Sequence, residues 1–86
     1  MYTLIYYVTE TKGTEVIERE YNNWSGEYRL RRDALHYLRK EVYAAYLEQR
    51  YETSFIVGGI YCKKSEKTDK GEQKTTEIRV KVEKVK

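Results

Sequence analysis

The middle third of the chain carries apolar side chains at the spacing of one helical stripe, and this pattern constrains the fold more than any other. At about 100° per residue, a helix over about residues 26–50 gathers these side chains on one face. Ser25 is a candidate N-cap, and Glu27 places a negative charge in the first turn, where it suits the helix dipole. We expect the stripe to pack on a sheet. Its members are Tyr28, Ala34, Leu35, Leu38, Val42, Ala45 and Tyr46.

Two strand-like segments precede the helix. Residues 2–11 are rich in Tyr, Ile, Val and Thr, which fit a pleated surface. Lys12 and Gly13 interrupt this segment as a turn, and residues 15–21 follow as the second strand of an antiparallel hairpin. Charged residues dominate that second strand, which predicts an edge position in the sheet.

Two further strands are predicted after the helix. Residues 52–64 form the first. The pair Gly58 and Gly59 within it indicates a bulge, a sharp twist, a place where a side chain such as an aromatic packs flat on the backbone, or room for the crossing helix. From Lys74 onward, apolar and charged side chains alternate cleanly. This alternation predicts a strand with one dry face and one solvated face.

The order of the predicted elements is β-β-α-β-β. We therefore predict an α+β fold of two layers, in which a four-stranded antiparallel sheet is covered on one face by one long helix at about residues 26–50. A chain of 86 residues supports one hydrophobic core, so residues 1–86 are expected to form a single domain.

The sheet face that the helix leaves uncovered is also expected to be apolar. An exposed apolar patch of this kind usually binds a partner. A homodimer through the uncovered face is the simplest explanation. The candidate dimer-face residues are Ile5, Tyr7, Ile56, Ile60 and Cys62.

Charge and hydropathy narrow the class of protein. The net charge is +3 and the pI is near 8.9, just below the range that by itself indicates nucleic-acid binding. No segment approaches the ~18 consecutive apolar residues of a membrane span. The first residues lack the basic segment and long apolar run of a signal peptide. We expect an intracellular, cytoplasmic protein that has no membrane partner.

The residues that usually carry catalysis do not form a recognisable set. His36 is the only histidine and falls on the solvent side of the helical wheel, so a Ser/His/Asp triad is not expected. Cys62 is the only cysteine, and one Cys with one His cannot hold a zinc ion. Glu18 and Glu20 share one face of a strand, but no histidine accompanies them. We expect no enzymatic activity, no metal and no cofactor.

The outer surface of the helix is the remaining candidate for function. The helical wheel places a strip of basic residues there, together with one aromatic and one aliphatic side chain. The alternative interpretation is an ordinary solvated surface. A protein partner is one possibility, because arginine and tyrosine are common anchors in protein interfaces. A nucleic acid is the other, because the basic residues can bind phosphates and Tyr43 can pack on a base. The candidate partner-binding residues are Arg29, Arg32, His36, Arg39, Lys40, Tyr43, Leu47 and Arg50.

Two functions follow from this surface. The favoured one is a small non-enzymatic binding protein, a modulator or inhibitor that contacts another protein with an acidic surface. Its short, charged sequence is typical of viral or mobile-element proteins that block a host factor. The alternative is a nucleic-acid-binding protein that uses the same basic helix face.

Overall fold

The computed structural model describes residues 1–85, with the side chains of residues 23–25 outside that description. The fold is α+β, as predicted, with one helix, α1 (residues 31–48), on one face of an antiparallel sheet. The sheet has five strands rather than four. They are β1 (Tyr2–Lys12), β2 (Glu15–Tyr28), β3 (Glu52–Ile56), β4 (Gly59–Lys67) and β5 (Gln73–Lys84).

The order of strands across the sheet places β2 and β3 at the two edges. From edge to edge it is β2-β1-β5-β4-β3, and all neighbouring pairs are antiparallel. The first turns of α1 contact β1 and β2, and its last turns contact β3. The helix therefore crosses the whole width of the sheet, and the edge position predicted for the second strand is confirmed.

The additional strand comes from residues 52–64, which the sequence predicted as one strand. Val57 and Gly58 form a tight turn between β3 and β4, and Gly58 has a φ of +73°, which favours glycine. A Cβ on Gly59 would lie 1.9 Å from the carbonyl oxygen of Val80. The glycine pair thus permits a hairpin and a close approach of β4 to β5. The expected room for the helix is found at Gly58, where a Cβ would lie 3.2 Å from Nη2 of Arg31, the first residue of α1, and not at Gly59.

The helix begins later than the sequence predicted, at Arg31 instead of about residue 26. Strand β2 continues to Tyr28, which pairs with Tyr2 of β1. Leu30 occupies the N-cap without a side-chain cap hydrogen bond. The predicted Ser25 cap falls on a side chain outside the described ones, and its backbone lies in β2. Pairing with β1 outweighs the local signal for a helix start.

The hydrophobic core lies between α1 and one face of the sheet. Leu4, Leu38, Ile60 and Val80 are completely buried in it. The alternation predicted for the last strand is confirmed, and β1 shares it, because alternate residues of β1 and β5 face the helix. These residues are Leu4, Tyr6, Val8, Ile78, Val80 and Val82.

The core-facing residues of α1 are spaced by four positions: Ala34, Leu38, Val42 and the half-buried Tyr46. A regular α-helix would rotate each step of four by about 40° away from the sheet. Residues Leu38–Val42 form a π-helical turn, and the Tyr43 N–H donates to the Leu38 carbonyl five residues back. This wider turn absorbs the drift and keeps the stripe on the sheet.

The uncovered sheet face is not the apolar patch that the sequence predicted. Ile60 and Cys62 are completely buried in the core, because the turn at residues 57–58 pairs Ile60 with Phe55 and directs both toward the helix side. Ile5 is only 7% exposed, which leaves Tyr7 and Ile56 half-buried on that face. The homodimer proposed through these residues therefore loses its structural basis.

Candidate functional site

The core-facing stripe divides the remaining helix surface into two flanks. Residues that follow a core-facing position by one, such as Leu35, Arg39 and Tyr43, lie on one flank. Residues that precede one, such as Asp33 and Glu41, lie on the other. Because the π-helical turn preserves the spacing of four, this division persists along the helix.

The cations gather on the first flank and on the outer ridge beside it. Arg32, His36, Arg39 and Lys40 line one shallow surface groove together with half-buried Leu35. All four of these side chains are exposed. The structure thus brings together four of the predicted partner-binding residues. We define the basic flank as Arg31, Arg32, His36, Arg39 and Lys40.

The basic flank is not neutralised by neighbouring carboxylates. Among the side chains of residues 1–22 and 26–85, no carboxylate oxygen lies within 4.0 Å of a basic-flank nitrogen. The ion pairs formed by the described side chains lie elsewhere, at Lys12 with Glu72 and at Lys64 with Glu66. The charge of the flank is therefore available to an anionic partner.

The basic flank faces the β3–β4 hairpin. The rings of Tyr43 and Phe55 are stacked, with centroids 4.7 Å apart and planes inclined by 16°. Arg31 approaches the hairpin turn, since its Nη2 atom would be 3.2 Å from a Cβ on Gly58. Phe55 is 57% exposed and Val57 at the turn is 97% exposed. Exposed apolar side chains of the hairpin thus lie beside Tyr43 and Arg31 on the same side of the helix as the basic flank. Sequence reasoning missed Phe55 and Val57.

The remaining predicted contact residues frame this surface. Arg29 is exposed in the bend between β2 and α1, outside the helix on which it was predicted. Leu47 is 47% exposed on the same flank as Tyr43. Arg50 lies beyond the helix end with a φ of 66°. It borders a second shallow depression together with Glu52, Lys63, Lys64 and Ser65.

Two lysines of β4 lie beside Arg50, in a depression that Glu52 also borders. Lys63 is exposed, and the Lys64 Nζ lies 2.9 Å from a Glu66 carboxylate oxygen and 5.4 Å from the centre of the Tyr51 ring. Sequence reasoning missed them because they are distant from the helix along the chain. The adjacent pair Lys63-Lys64 was the available signal.

The uncovered sheet face forms a separate polar surface. The Tyr7 hydroxyl donates a 2.7 Å hydrogen bond to a Glu83 carboxylate oxygen, which raises the pKa of Tyr7 to about 12. The Arg79 guanidinium lies 5.1 Å from the centre of the Tyr61 ring. These interactions join residues on three adjacent strands. Arg19, Arg79 and Lys81 line a shallow depression there together with Glu18 and Glu20, so cations and carboxylates alternate on this face.

Nucleophilic and metal-binding groups do not converge at the basic flank. Burial raises the pKa of the Cys62 thiol, which lies in the core near Thr53. Within the part of the chain that the structure describes, no three His, Cys, Asp or Glu side chains are close enough to hold a metal ion. In that same part, no helix is both long enough and apolar enough to cross a membrane.

No family model, curated protein or solved structure matches the chain. The basic flank and the hairpin beside it are the features from which a function can be inferred.

Proposed function

We propose that this chain is a small binding protein that contacts an acidic surface of another protein. One observation supports the proposal: the exposed side chains of Phe55 and Val57 lie on the hairpin beside the basic flank, whose charge no carboxylate of the described side chains neutralises. Interface centres are rich in aromatic side chains and arginine, and exposed charges around them guide association. The complementary surface is an apolar patch bordered by carboxylates.

The apolar side chains favour a protein partner over a nucleic acid. A phosphate backbone attracts the cations but offers no apolar surface. Val57 is 97% exposed, and burial of its side chain against an apolar surface of a protein would stabilise the complex. Phe55 and Tyr43 already stack on each other, so their exposed edges form a rigid platform. Nucleic-acid binding by the basic flank is the alternative outcome of the test below.

The test is affinity capture from host lysate on immobilised protein, with and without nuclease. The test variant is Arg32→Ala/Arg39→Ala, which removes two exposed cations from the basic flank. The matched control is Lys67→Ala/Lys70→Ala, which removes the same charge from exposed positions in and beside β4. Circular dichroism verifies that each variant is folded.

We expect a discrete protein to be retained by the wild type and the control after nuclease treatment, and to be lost with the Arg32→Ala/Arg39→Ala variant. Equal retention by the two double variants would exclude the basic flank. Retention that nuclease abolishes would assign the flank to nucleic acid. In that case the affinity falls steeply with added salt, because each neutralised phosphate releases counterions.

A further inference from the structure

The two edge strands of the sheet differ in how they are protected. β2 carries charged, exposed side chains at Glu15, Glu18, Arg19 and Glu20, which discourage the addition of another strand. β3 carries one charged residue, at its first position, Glu52, and residues 53–57 are uncharged. The edge at β3 is therefore open to strand addition, and the edge at β2 is not.

The register of the hairpin identifies the backbone groups that β3 offers. Pairing closes at Ile56 and Gly59 around a two-residue turn, so this pair is hydrogen-bonded. Hydrogen-bonded and non-hydrogen-bonded pairs alternate along an antiparallel ladder. Thr53 and Phe55 consequently occupy the non-hydrogen-bonded positions toward β4. Their N–H and C=O groups point to the open edge.

Side chains beside the open edge define what an added strand would meet. The Tyr43–Phe55 stack lies on the helix side of β3, where an apolar side chain of the new strand would pack. Arg50 precedes β3 by two residues, and Arg31 lies against Gly58 at the other end. The uncharged residues 53–57 and the aromatic platform thus lie between two arginines, and Glu52 faces the other side of the sheet, opposite Lys63.

We propose that the open edge of β3 binds an extended segment of the partner protein as a sixth strand. The segment has apolar residues at alternate positions and carboxylates at both ends. This inference rests on the proposed function, because it specifies how the same acidic partner is held. Main-chain hydrogen bonds supply affinity, and the platform and the arginines supply selectivity.

A second copy of this chain fits the edge less well than an acidic segment. In an antiparallel pair of β3 strands centred on Ser54, Arg50 of one copy lies opposite Gly58 of the other. Arg31 of the other copy lies against its own Gly58, so Arg50 of one copy would meet Arg31 of the other. The two-fold symmetry of the pair repeats this contact between like charges at each end of the paired strands. The charges at the edge therefore select a partner of opposite sign.

The probe is a labelled nine-residue peptide, Glu-Glu-Val-Thr-Val-Thr-Val-Glu-Glu, titrated against wild-type protein. In the proposed sixth strand, the peptide residues opposite Thr53 and Phe55 form hydrogen-bonded pairs with them and have their side chains on the same face of the sheet. When the valines pack on the aromatic platform, they occupy these positions, and their N–H groups point at β3. N-methylation of the valines is expected to abolish binding, and N-methylation of the threonines to preserve it. A peptide with lysine in place of each glutamate is expected to bind at least tenfold more weakly.

Protein variants supply the second comparison. Phe55→Ala is expected to weaken peptide binding at least tenfold, whereas Tyr21→Ala, which removes an exposed ring from the protected edge at β2, leaves it unchanged. Amide exchange at Thr53 and Phe55 slows in the wild-type complex. No binding at 1 mM peptide, equal binding of the two N-methylated peptides, or unchanged amide exchange would each overturn the strand-addition proposal.

Two further results separate this inference from the proposed function. If the peptide fails to bind while Arg32→Ala/Arg39→Ala still abolishes capture of the partner, strand addition is wrong and the proposed function stands. Sedimentation equilibrium that shows a dimer lost in Phe55→Ala would assign the edge to a second copy, and would also overturn the inference.

Discussion

The ring of Tyr51 meets the ring of Tyr46 edge-on, with centroids 5.2 Å apart and planes inclined by 72°. Beneath this contact, the Tyr51 N–H donates to the Tyr46 carbonyl and the Arg50 N–H donates to the Leu47 carbonyl, both at 3.0 Å. These bonds form a Schellman motif, in which the first residue after the C-cap adopts a left-handed conformation. That residue is Arg50, with a φ of 66°, where glycine is the usual choice.

Replacement of Arg50 by glycine is expected to stabilise the protein. Relief of the left-handed conformation should raise the free energy of unfolding by about 0.5–1 kcal/mol in urea denaturation. Gln49→Gly is the matched control, since Gln49 has an ordinary φ of −80° and glycine there should lower stability. A variant Arg50→Gly no more stable than wild type would contradict the prediction. If Arg50 contacts the partner, the same stabilised variant binds it more weakly.

Gly59→Ala is expected to be severely destabilising, because the new Cβ would lie 1.9 Å from the Val80 carbonyl oxygen. The obstacle is backbone, so β4 and β5 would have to separate, at a cost of about 3 kcal/mol or more. Gly13→Ala provides the comparison: nothing lies within 4 Å of its Cβ position, and only its φ of +60° opposes the change. That control should cost about 1 kcal/mol. Similar thermal melts for the two variants would contradict the predicted clash.

Stability is expected to fall at alkaline pH. Burial, with a smaller effect of Tyr6, raises the pKa of the Tyr46 hydroxyl above its ordinary value, so the folded state favours the neutral phenol. The stability that this pKa difference contributes is fully present below the pKa of the unfolded state, about 10. It is lost as the pH rises from there toward the pKa of the folded state. After allowance for solvent screening of the half-buried ring, we expect a loss of about 1 kcal/mol between pH 9 and pH 11.

Urea denaturation at the two pH values measures this loss, and Tyr46→Phe, which keeps the ring and removes the proton, should reduce it. An identical pH dependence for Tyr46→Phe and the wild type would show that other groups are responsible. Tyr7 supplies a second contribution of the same sign, because its hydrogen bond to Glu83 raises its pKa to about 12.

The Cys62 thiol is expected to resist modification in the native protein. Its side chain is completely buried, and burial raises its pKa, so little reactive thiolate is present at neutral pH. Labelling by a thiol reagent such as dithionitrobenzoate should then require opening of the fold and become immediate in denaturing urea. Ser65→Cys in a Cys62→Ala background places a thiol at an exposed position on the same strand and should react at once. Rapid native labelling of Cys62 would contradict its place in the core.

Local periodicity was sufficient for much of the fold and for part of the candidate site. The stripe through Ala34, Leu38 and Val42 predicted a helix that packs on a sheet, and that helix places Arg32, Arg39 and Lys40 on its exposed surface. The same pattern could not show that Tyr43 stacks on Phe55, because the two residues belong to elements joined only by tertiary packing.

What the sequence by itself determined is the sidedness of the helix and of the first and last strands, since the spacing of apolar residues follows directly from the periods of helix and strand. Only the tertiary structure decided where the elements stop. Strand β2 extends to Tyr28 because β1 offers hydrogen-bond partners, and the turn at Val57 and Gly58 directs Ile60 into the core. Both outcomes depend on pairing between backbone groups of separate strands, which no local window of sequence contains.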